Sequence, residues 1–360
     1  MDTSAHILGN SIDALFVTDP TNIRYLTGFI GVSPAEREAF VLITRKSVYL
    51  FTNALYKEAA TTLKRPGLIW KEIGRDNPVS QLLARLCTEH RITRLGFEDT
   101  NLTVFEHKKI REVISNVQLI PLQNRVESLR IKKSASEMKH IRAAALLTDR
   151  CFSYILPLIK PGVTESEITA EISSFFREFG AENAFSPIVA FGKNTSMPHY
   201  GLSHISKTVC KKHDIVLLDF GARVSGYCAD MTRMVFVGNP LPEWKHAYEA
   251  VLAANMRAIQ MLNDGVRNGA TLDAAAQEII VESNLPAYPH SLGHAVGLDI
   301  HEAPRITIKK EEVLAASMAI TIEPGTYIEG QFGILIEDLI HIQHNGIEIL
   351  SRSPKVLTII

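Results

Sequence analysis

The chain has 360 residues, of which 46% are hydrophobic and 21% are charged. This composition can build a core and excludes a disordered or fibrous protein, and the length favours two domains at roughly 150 residues per domain. Lysine and arginine number 38 against 39 for aspartate and glutamate, which leaves a net charge of -1. Proteins that neutralise phosphates normally carry a basic excess, so nucleic acid is not expected as the main partner.

The cysteines and the apolar runs bear on the compartment. None of the four cysteines forms a CxxC pair, which argues against a zinc ribbon, a redox motif or a disulfide framework. Residues 1–20 lack a basic segment followed by an apolar one, and no apolar run approaches the ~18 residues of a membrane span. We therefore expect a cytoplasmic protein with no membrane partner.

In residues 1–125, short apolar runs alternate with helical patterns. The two residues Arg45-Lys46 form a junction short enough for a hairpin turn between two strands. In chain order, the patterns predict strands at 14–17, 39–44 and 47–52, a helix at 78–89, a strand at 95–97, a helix at 104–114 and a strand at 117–120. These elements indicate a mixed α/β domain.

Two capping boxes open the second domain, which we place at residues 130–360. Ser134 with Glu137, and Thr164 with Glu167, each combine a capping hydroxyl with a glutamate three residues later. Helices should follow both boxes. Further along, the patterns predict a hairpin-like stretch at 214–237, helices at 242–262 and 272–283, and a strand-rich tail at 292–360.

The hairpin-like stretch carries an aspartate on each strand. Asp219 and Asp230 are equally distant from a centre between Val224 and Ser225. A symmetric hairpin would place them opposite each other, with Cβ atoms about 5 Å apart. Buried carboxylates this close require a metal ion or a shared proton.

A second pair of acids repeats this arrangement. Glu323 and Glu337 are symmetric about Gly330, within residues 319–338. A single acid in an apolar strand is more often a satisfied polar group. Two mirrored pairs in one domain instead favour a common site.

Three histidines, His290, His294 and His301, lie between these hairpins. The zincin signature HExxH is excluded, because Arg305 stands where it requires histidine. One imidazole with four carboxylates is a donor set that favours Mn(II) or Co(II) and tolerates Zn(II). Two ions about 3.5–4 Å apart would balance four negative charges and activate a water. Upstream, His199 lies in a loop, where a lone histidine is more often simply solvated.

These segments resemble the pita-bread metallopeptidases, the family of methionine aminopeptidase, aminopeptidase P and prolidase. The resemblance rests on DFGARVSGYCADMTR, SLGHAVGLDIHEAP, ITIEPG and GILIED. Residues 16–29, FVTDPTNIRYLTGF, resemble the creatinase-like domain of prolidases and aminopeptidases P, which methionine aminopeptidases lack. The resemblance implies an α+β fold, in which a smaller α/β creatinase-like domain at 1–125 precedes a pita-bread catalytic domain at 130–360.

The resemblance also implies an activity and a set of metal ligands. By motif position, Asp219 would hold one divalent ion, His294 and Glu323 the other, and Asp230 and Glu337 would bridge the two. The implied reaction is hydrolysis of Xaa-Pro bonds in proline-containing peptides. Glu323 would carry the proton from the nucleophile towards the leaving proline nitrogen.

Four further residues take roles by resemblance. His199 would assist proton movement and contact substrate, and His301 would hydrogen-bond the scissile carbonyl. His290 would line the proline-side pocket, and Arg305 could meet a substrate carboxylate. The resemblance further implies a homodimer.

Alternatives remain open. The fold also serves as a scaffold in binding proteins, so a catalytically weak or inactive protein is one alternative, and another aminopeptidase of the fold is a second. Leu335 stands where the family usually has arginine, so an ion pair of the family's site is missing here. The chain has no GxSxG elbow for a serine nucleophile. Dipeptides and the N-termini of longer peptides are both candidate substrates.

Overall fold

The computed structural model describes residues 3–31, 33, 36–201 and 206–360. By its internal contacts the chain divides into two compact units, Met1–Leu129 and Arg130–Ile360. In the described residues, no helix combines the length and the hydropathy that crossing a bilayer requires.

The first unit is built on one mixed six-stranded sheet, whose strands lie in the order 68–72, 48–52, 39–44, 14–17, 94–98 and 118–122. Its central strands are buried along nearly their whole length, because helices cover the sheet. The elements are α1 Thr3–Leu8, β1 Ala14–Val17, α2 Pro20–Thr27, β2 Ala39–Thr44, β3 Val48–Thr52, α3 Lys57–Thr61, β4 Leu68–Glu72, α4 Val79–Glu89, β5 Arg94–Glu98, α5 Val104–Val113, β6 Gln118–Leu122 and α6 Glu127–Arg130.

The predicted strands and helices of this unit are all present, with ends that differ by one or two residues. The hairpin turn at Arg45-Lys46 is confirmed, since β2 and β3 pair antiparallel across it. The predictions missed the edge strand β4, of which no residue is fully buried, so it lacks a clear apolar run.

The second unit places sheets between two pairs of helices. The strand Asp214–Asp219 shows this layering. Its Ile215 and Leu217 join the apolar cluster under the helices 242–263 and 269–282, while Val216 and Leu218 join the one under the helices 135–155 and 165–178. The elements are α7 Ala135–Ile155, α8 Glu165–Glu178, β7 Glu182–Asn183, β8 Ile188–Phe191, β9 Asp214–Asp219, β10 Ala222–Val224, β11 Tyr227–Cys228, β12 Thr232–Val237, α9 Pro242–Asn263, α10 Gly269–Glu282, β13 Gly293–Ala295, β14 Glu302–Ile306, β15 Ala319–Ile322, β16 Gly325–Ile328, β17 Phe332–Leu335, β18 Asp338–Ile342, β19 Ile347–Ile349 and β20 Thr358–Ile359.

Both predicted capping boxes are confirmed. The hydroxyls of Ser134 and Thr164 accept from the backbone N–H groups of Glu137 and Glu167, whose carboxylates reach back to the caps. Helix α10 begins earlier than predicted, because the side chain of Asn268 caps it.

The hairpin of the two aspartates is shifted by two residues from the predicted register. Asp219 lies opposite Thr232, and β10 pairs with β11 in the same register. The turn is therefore Ser225-Gly226, both with positive φ (52° and 89°), as a type I′ turn requires. The prediction that Asp219 and Asp230 lie directly opposite each other is wrong. A shift of two residues nevertheless keeps both on one face, because side chains alternate with a period of two.

The hairpin of the two glutamates has the predicted register. On one side of the pair Ile322 lies opposite Asp338, and on the other Gly325 lies opposite Leu335. Both pairings are symmetric about Gly330, whose φ of 70° suits the turn. This hairpin therefore places Glu323 and Glu337 across from each other.

Candidate metal centre

The predicted ligands lie on or next to strands of the second unit. Donor atoms of Asp230, His294 and Glu337 all lie within 4.8 Å of one another, and all three residues are buried. Nε2 of His294 is 3.7 Å from Oδ2 of Asp230 and 3.3 Å from Oε1 of Glu323. Asp219 is the last residue of β9, and its charge acts on Asp230 and Glu323.

Two of the four acids, Glu337 and Glu323, accept hydrogen bonds from threonine hydroxyls. Thr232, opposite Asp219 in the sheet, donates to Oε2 of Glu337 at 2.9 Å. Thr321 donates to Oε1 of Glu323 at 3.1 Å and accepts from the backbone N–H of His294 at 3.0 Å. Sequence reasoning missed both threonines, which lie two residues from a predicted ligand on the same strand face.

Two carboxylate oxygens in this group are buried without a hydrogen-bond donor. They are Oδ1 of Asp230 and Oε1 of Glu337. Each such oxygen lowers the stability of the fold by about 1–3 kcal/mol unless a cation or a proton satisfies it. Orphaned oxygens beside an imidazole nitrogen fit a divalent cation.

Burial raises the pKa of every acid in the group, and repulsion from neighbouring acids adds to the rise in three of them. Burial raises the pKa of Asp219 to about 7, and burial with the charge of Asp219 raises the pKa of Glu323 to about 8. The pKa values of Asp230 and Glu337 are raised well above their usual range for the same reasons. Without a cation the group therefore retains protons near neutral pH, and a bound cation would favour its ionised form.

His294 is prepared as a neutral ligand. Its Nδ1 donates to the carbonyl oxygen of Ala295 at 3.1 Å, which leaves the lone pair on Nε2 directed at the carboxylates. Burial, followed by the charge of His301, lowers the pKa of His294 to about 3. The imidazole therefore does not compete for a proton with a metal ion near neutral pH.

Three predicted substrate-side residues surround the group. The rings of His301 and His294 meet edge to face with centroids 4.5 Å apart. Burial, then the charges of Arg305 and His199, lowers the pKa of His301, so these two residues lie close to it. Both His199 and Arg305 are exposed, and Arg305 lies opposite His294 in the sheet.

His290 is held by two tyrosines. Its Nδ1 donates to the carbonyl oxygen of Ser291 at 2.9 Å, so Nε2 accepts from the hydroxyl of Tyr327 at 3.0 Å. Its ring stacks on Tyr288 with centroids 5.1 Å apart. Tyr327 was not predicted, although it lies four residues after Glu323 and therefore on the same side of the chain.

Comparison with known proteins places this centre in a class. A model of metallopeptidase family M24 matches residues 139–344, and a model of the creatinase/prolidase N-terminal domain matches residues 5–132. Along the chain, a creatinase-type domain thus comes first and a pita-bread domain of the metallopeptidase class follows it. The predicted fold class is confirmed. It belongs to metallopeptidase family M24.

Individual relatives cover almost the whole chain. The uncharacterized peptidase YqhT of Bacillus subtilis (strain 168) is 34% identical over 351 residues, which span 97% of this chain and 96% of that protein. An Xaa-Pro dipeptidase from Bacillus anthracis is 34% identical with a TM-score of 0.90, covering 99% of both chains. An X-Pro aminopeptidase from Thermotoga maritima MSB8 is 30% identical with a TM-score of 0.87, covering 100% of both. The protein is therefore a hydrolase of the metallopeptidase type.

Proposed function

We propose that this protein hydrolyses the peptide bond before proline in Xaa-Pro peptides, with two divalent ions held by Asp219, Asp230, His294, Glu323 and Glu337. The observation that carries the proposal is the buried group of donor atoms with its two orphaned oxygens. Bound there, the ions would polarise the scissile carbonyl and lower the pKa of a water, the chemistry that metal pairs supply in hydrolysis. The names of the solved relatives support the same substrate class.

Glu323 moves the proton in this proposal. It accepts a proton from the attacking water and returns it to the proline nitrogen as that nitrogen leaves. The hydroxyl of Thr321 holds one oxygen of Glu323 and leaves the other to exchange the proton.

His301 stabilises the charge that develops on the carbonyl oxygen. Its lowered pKa keeps the imidazole neutral near pH 7, so one ring N–H is available to donate to that oxygen. A positioned donor of this kind typically contributes about 3–4 kcal/mol to the transition state. His199, on the exposed side, contacts the substrate and assists proton movement.

Arg305 favours dipeptides as substrates. It acts electrostatically on His294, His301 and Glu323, so its guanidinium is close to the metal centre. In an Xaa-Pro dipeptide the carboxylate is one residue from the scissile bond, within reach of such a group. His290 and Tyr327 would line the proline side of the pocket.

The test compares Ala-Pro, Ala-Pro-amide and Ala-Ala with Mn(II)-loaded protein, its chelator-treated form and Arg305→Met. We expect Ala-Pro to be cleaved and Ala-Ala not, with activity lost on chelation. In Arg305→Met, KM for Ala-Pro should rise about 10–100-fold, the value of a charged hydrogen bond, with little change for the amide. Cleavage that survives removal of the metal, or equal cleavage of Ala-Ala, would overturn the proposal.

The proposal includes the setting of the enzyme. The oxygen-rich donor set favours Mn(II) or Co(II) and tolerates Zn(II). The four cysteines are all free and buried, which suits a reducing, cytoplasmic location. A homodimer completes the proposal and is checked by light scattering.

A further inference from the structure

The loop 296–301 between β13 and β14 carries His301 and ends at a buried ion cluster. Glu302, the first residue of β14, lies opposite Ala295, the neighbour of His294. We name this cluster the loop clamp; its members are Arg130, Lys133, Asp299 and Glu302.

Glu302 is the centre of the loop clamp. Its Oε1 accepts from Nη2 of Arg130 at 2.5 Å, and its Oε2 accepts from Nζ of Lys133 at 3.0 Å. Asp299 also pairs with Arg130, at 2.6 Å. The side chains of Arg130, Lys133 and Glu302 are only 5%, 1% and 6% exposed, so their charges are weakly screened and their geometry is tightly coupled.

The same carboxylate fixes the backbone of the loop. Oε1 of Glu302 accepts from the backbone N–H of Asp299 at 3.3 Å. A Cβ atom at Gly297 would collide with the carboxylate, so Glu302 also packs on the start of the loop. His301 immediately precedes Glu302, and its ring lies 4.5 Å from that of His294. The anchor of the loop is thus one residue from the imidazole.

We propose that the loop clamp is a positioning device, in which Arg130 and Lys133 hold Glu302 so that the loop keeps His301 beside His294. The clamp acts through His301, so its members are positioning residues. Its effect on catalysis rests on the proposed function, whereas its effect on the order of the loop does not.

Two variants separate positioning from general stability. Glu302→Met removes the anion and leaves two buried cations facing one half-exposed aspartate, so this variant should lose stability. Lys133→Met/Glu302→Met removes one charge of each sign and leaves Arg130 paired with Asp299. The control is Glu348→Met, the same change in an Arg142–Glu348 ion pair on a different strand.

The readouts are kcat and KM for Ala-Pro, the melting temperature, the metal content and hydrogen exchange of the peptide that spans residues 296–301. We expect the double variant to melt near the wild type and to keep its metal, yet to lose at least tenfold in kcat. Its loop amides should exchange at least tenfold faster, while the control matches the wild type in both.

A double variant with wild-type kcat and wild-type loop exchange would overturn the clamp. Faster exchange spread evenly over the second unit would also overturn it, since it indicates a purely structural role. If the wild type cleaves no Xaa-Pro peptide, the proposed function fails, and loop exchange still decides the clamp.

Discussion

The two units of the chain each bury carboxylates, and they treat them differently. Glu98 in the first unit is 2% exposed, and Asp230 and Glu337 in the second are 5% and 2% exposed. Burial raises the pKa of all three. Burial and a raised pKa therefore do not distinguish a structural acid from a functional one.

The partners of the carboxylates do distinguish them. Glu98 accepts from the backbone N–H groups of Thr18 and Asp19 through one oxygen, and from the amide of Asn22 through the other. Asp230 and Glu337 each keep one oxygen without a donor. A buried acid with both oxygens satisfied by the protein holds the fold, whereas two orphaned carboxylate oxygens that lie together beside an imidazole suit a cation.

The largest expected effect is that of Asp230→Asn. The carboxamide keeps the size of the side chain and removes one negative charge of the proposed ligand set. Loss of a residue that only orients a metal ligand typically lowers activity by about 10–100-fold, and hydrolysis of Ala-Pro should fall further than that in this variant. The amount of bound metal should fall with it. The metal-free variant should melt no lower than the metal-free wild type, because one buried repelling charge is gone. Kinetic assays, elemental analysis and calorimetry measure the activity, the bound metal and the melting temperature. Activity within tenfold of the wild type would contradict the distinction between orphaned and satisfied carboxylates.

Glu98→Gln should produce the opposite pattern. The NH₂ group of the new glutamine would face N–H donors that point at the carboxylate of Glu98 in the wild type. The first unit should therefore lose about 1–3 kcal/mol of stability. Metal content and kcat should not change. Denaturant unfolding followed beside the Ala-Pro assay checks both, and a loss of metal with unchanged stability would argue against a structural role for Glu98.

A smaller effect is the pH dependence of stability without metal. The pKa values of Asp219 and Glu323 are raised to about 7 and about 8, so the folded protein holds protons that the unfolded chain has released. Its free energy of unfolding therefore falls as pH rises from 6.5 to 8, at up to about 1.4 kcal/mol per proton per pH unit. His294 opposes this slope only slightly, because its pKa in the folded protein is about 3, whereas its imidazole in the unfolded chain releases its last protons just above pH 6.5.

Metal ions should reverse this trend. Since they displace the same protons, the rise in melting temperature on adding Mn(II) should be larger at pH 8 than at pH 6.5. Thermal unfolding with and without Mn(II) at the two values measures it. A metal effect independent of pH would mean that the acids are already ionised in the metal-free fold.

Much of the fold could be predicted where local signals are strong. Capping residues and apolar periodicity located α7 and α8, and the buried runs located the central strands of the first sheet. The strand β4 was missed because an edge strand with no fully buried residue carries no such run.

The two hairpins show why part of the site geometry was missed. Symmetry about Gly330 was enough for the glutamates, because a glycine with positive φ lies at that centre. For the aspartates, the Ser225-Gly226 pair was the better signal, since two-residue turns with glycine second fix the register. Gly221, opposite Asp230 in the register observed, removes a Cβ that would collide with the carbonyl of Ala229.

The side chains that contact the proposed ligands could not be predicted from the sequence, for a different reason. Thr232, Thr321 and Tyr327 contact Glu337, the backbone N–H of His294 and His290, all distant in the sequence, and these contacts depend on a register that the sequence did not specify fully. Leu335 is buried in the apolar cluster opposite Gly325, so no cation takes the position where the family usually has arginine.

The hydrogen bond from Nδ1 of His294 to the carbonyl of Ala295 has a stoichiometric consequence. Because this imidazole is already neutral near pH 7, it releases no proton when an ion binds to Nε2. Every proton that the five proposed ligands release on binding a metal must then come from a carboxylate. The enthalpy of metal binding, measured in buffers of different ionisation enthalpy, would therefore count the protons released by the four acids of the metal-free centre, together with any proton lost by a water that the ions bind.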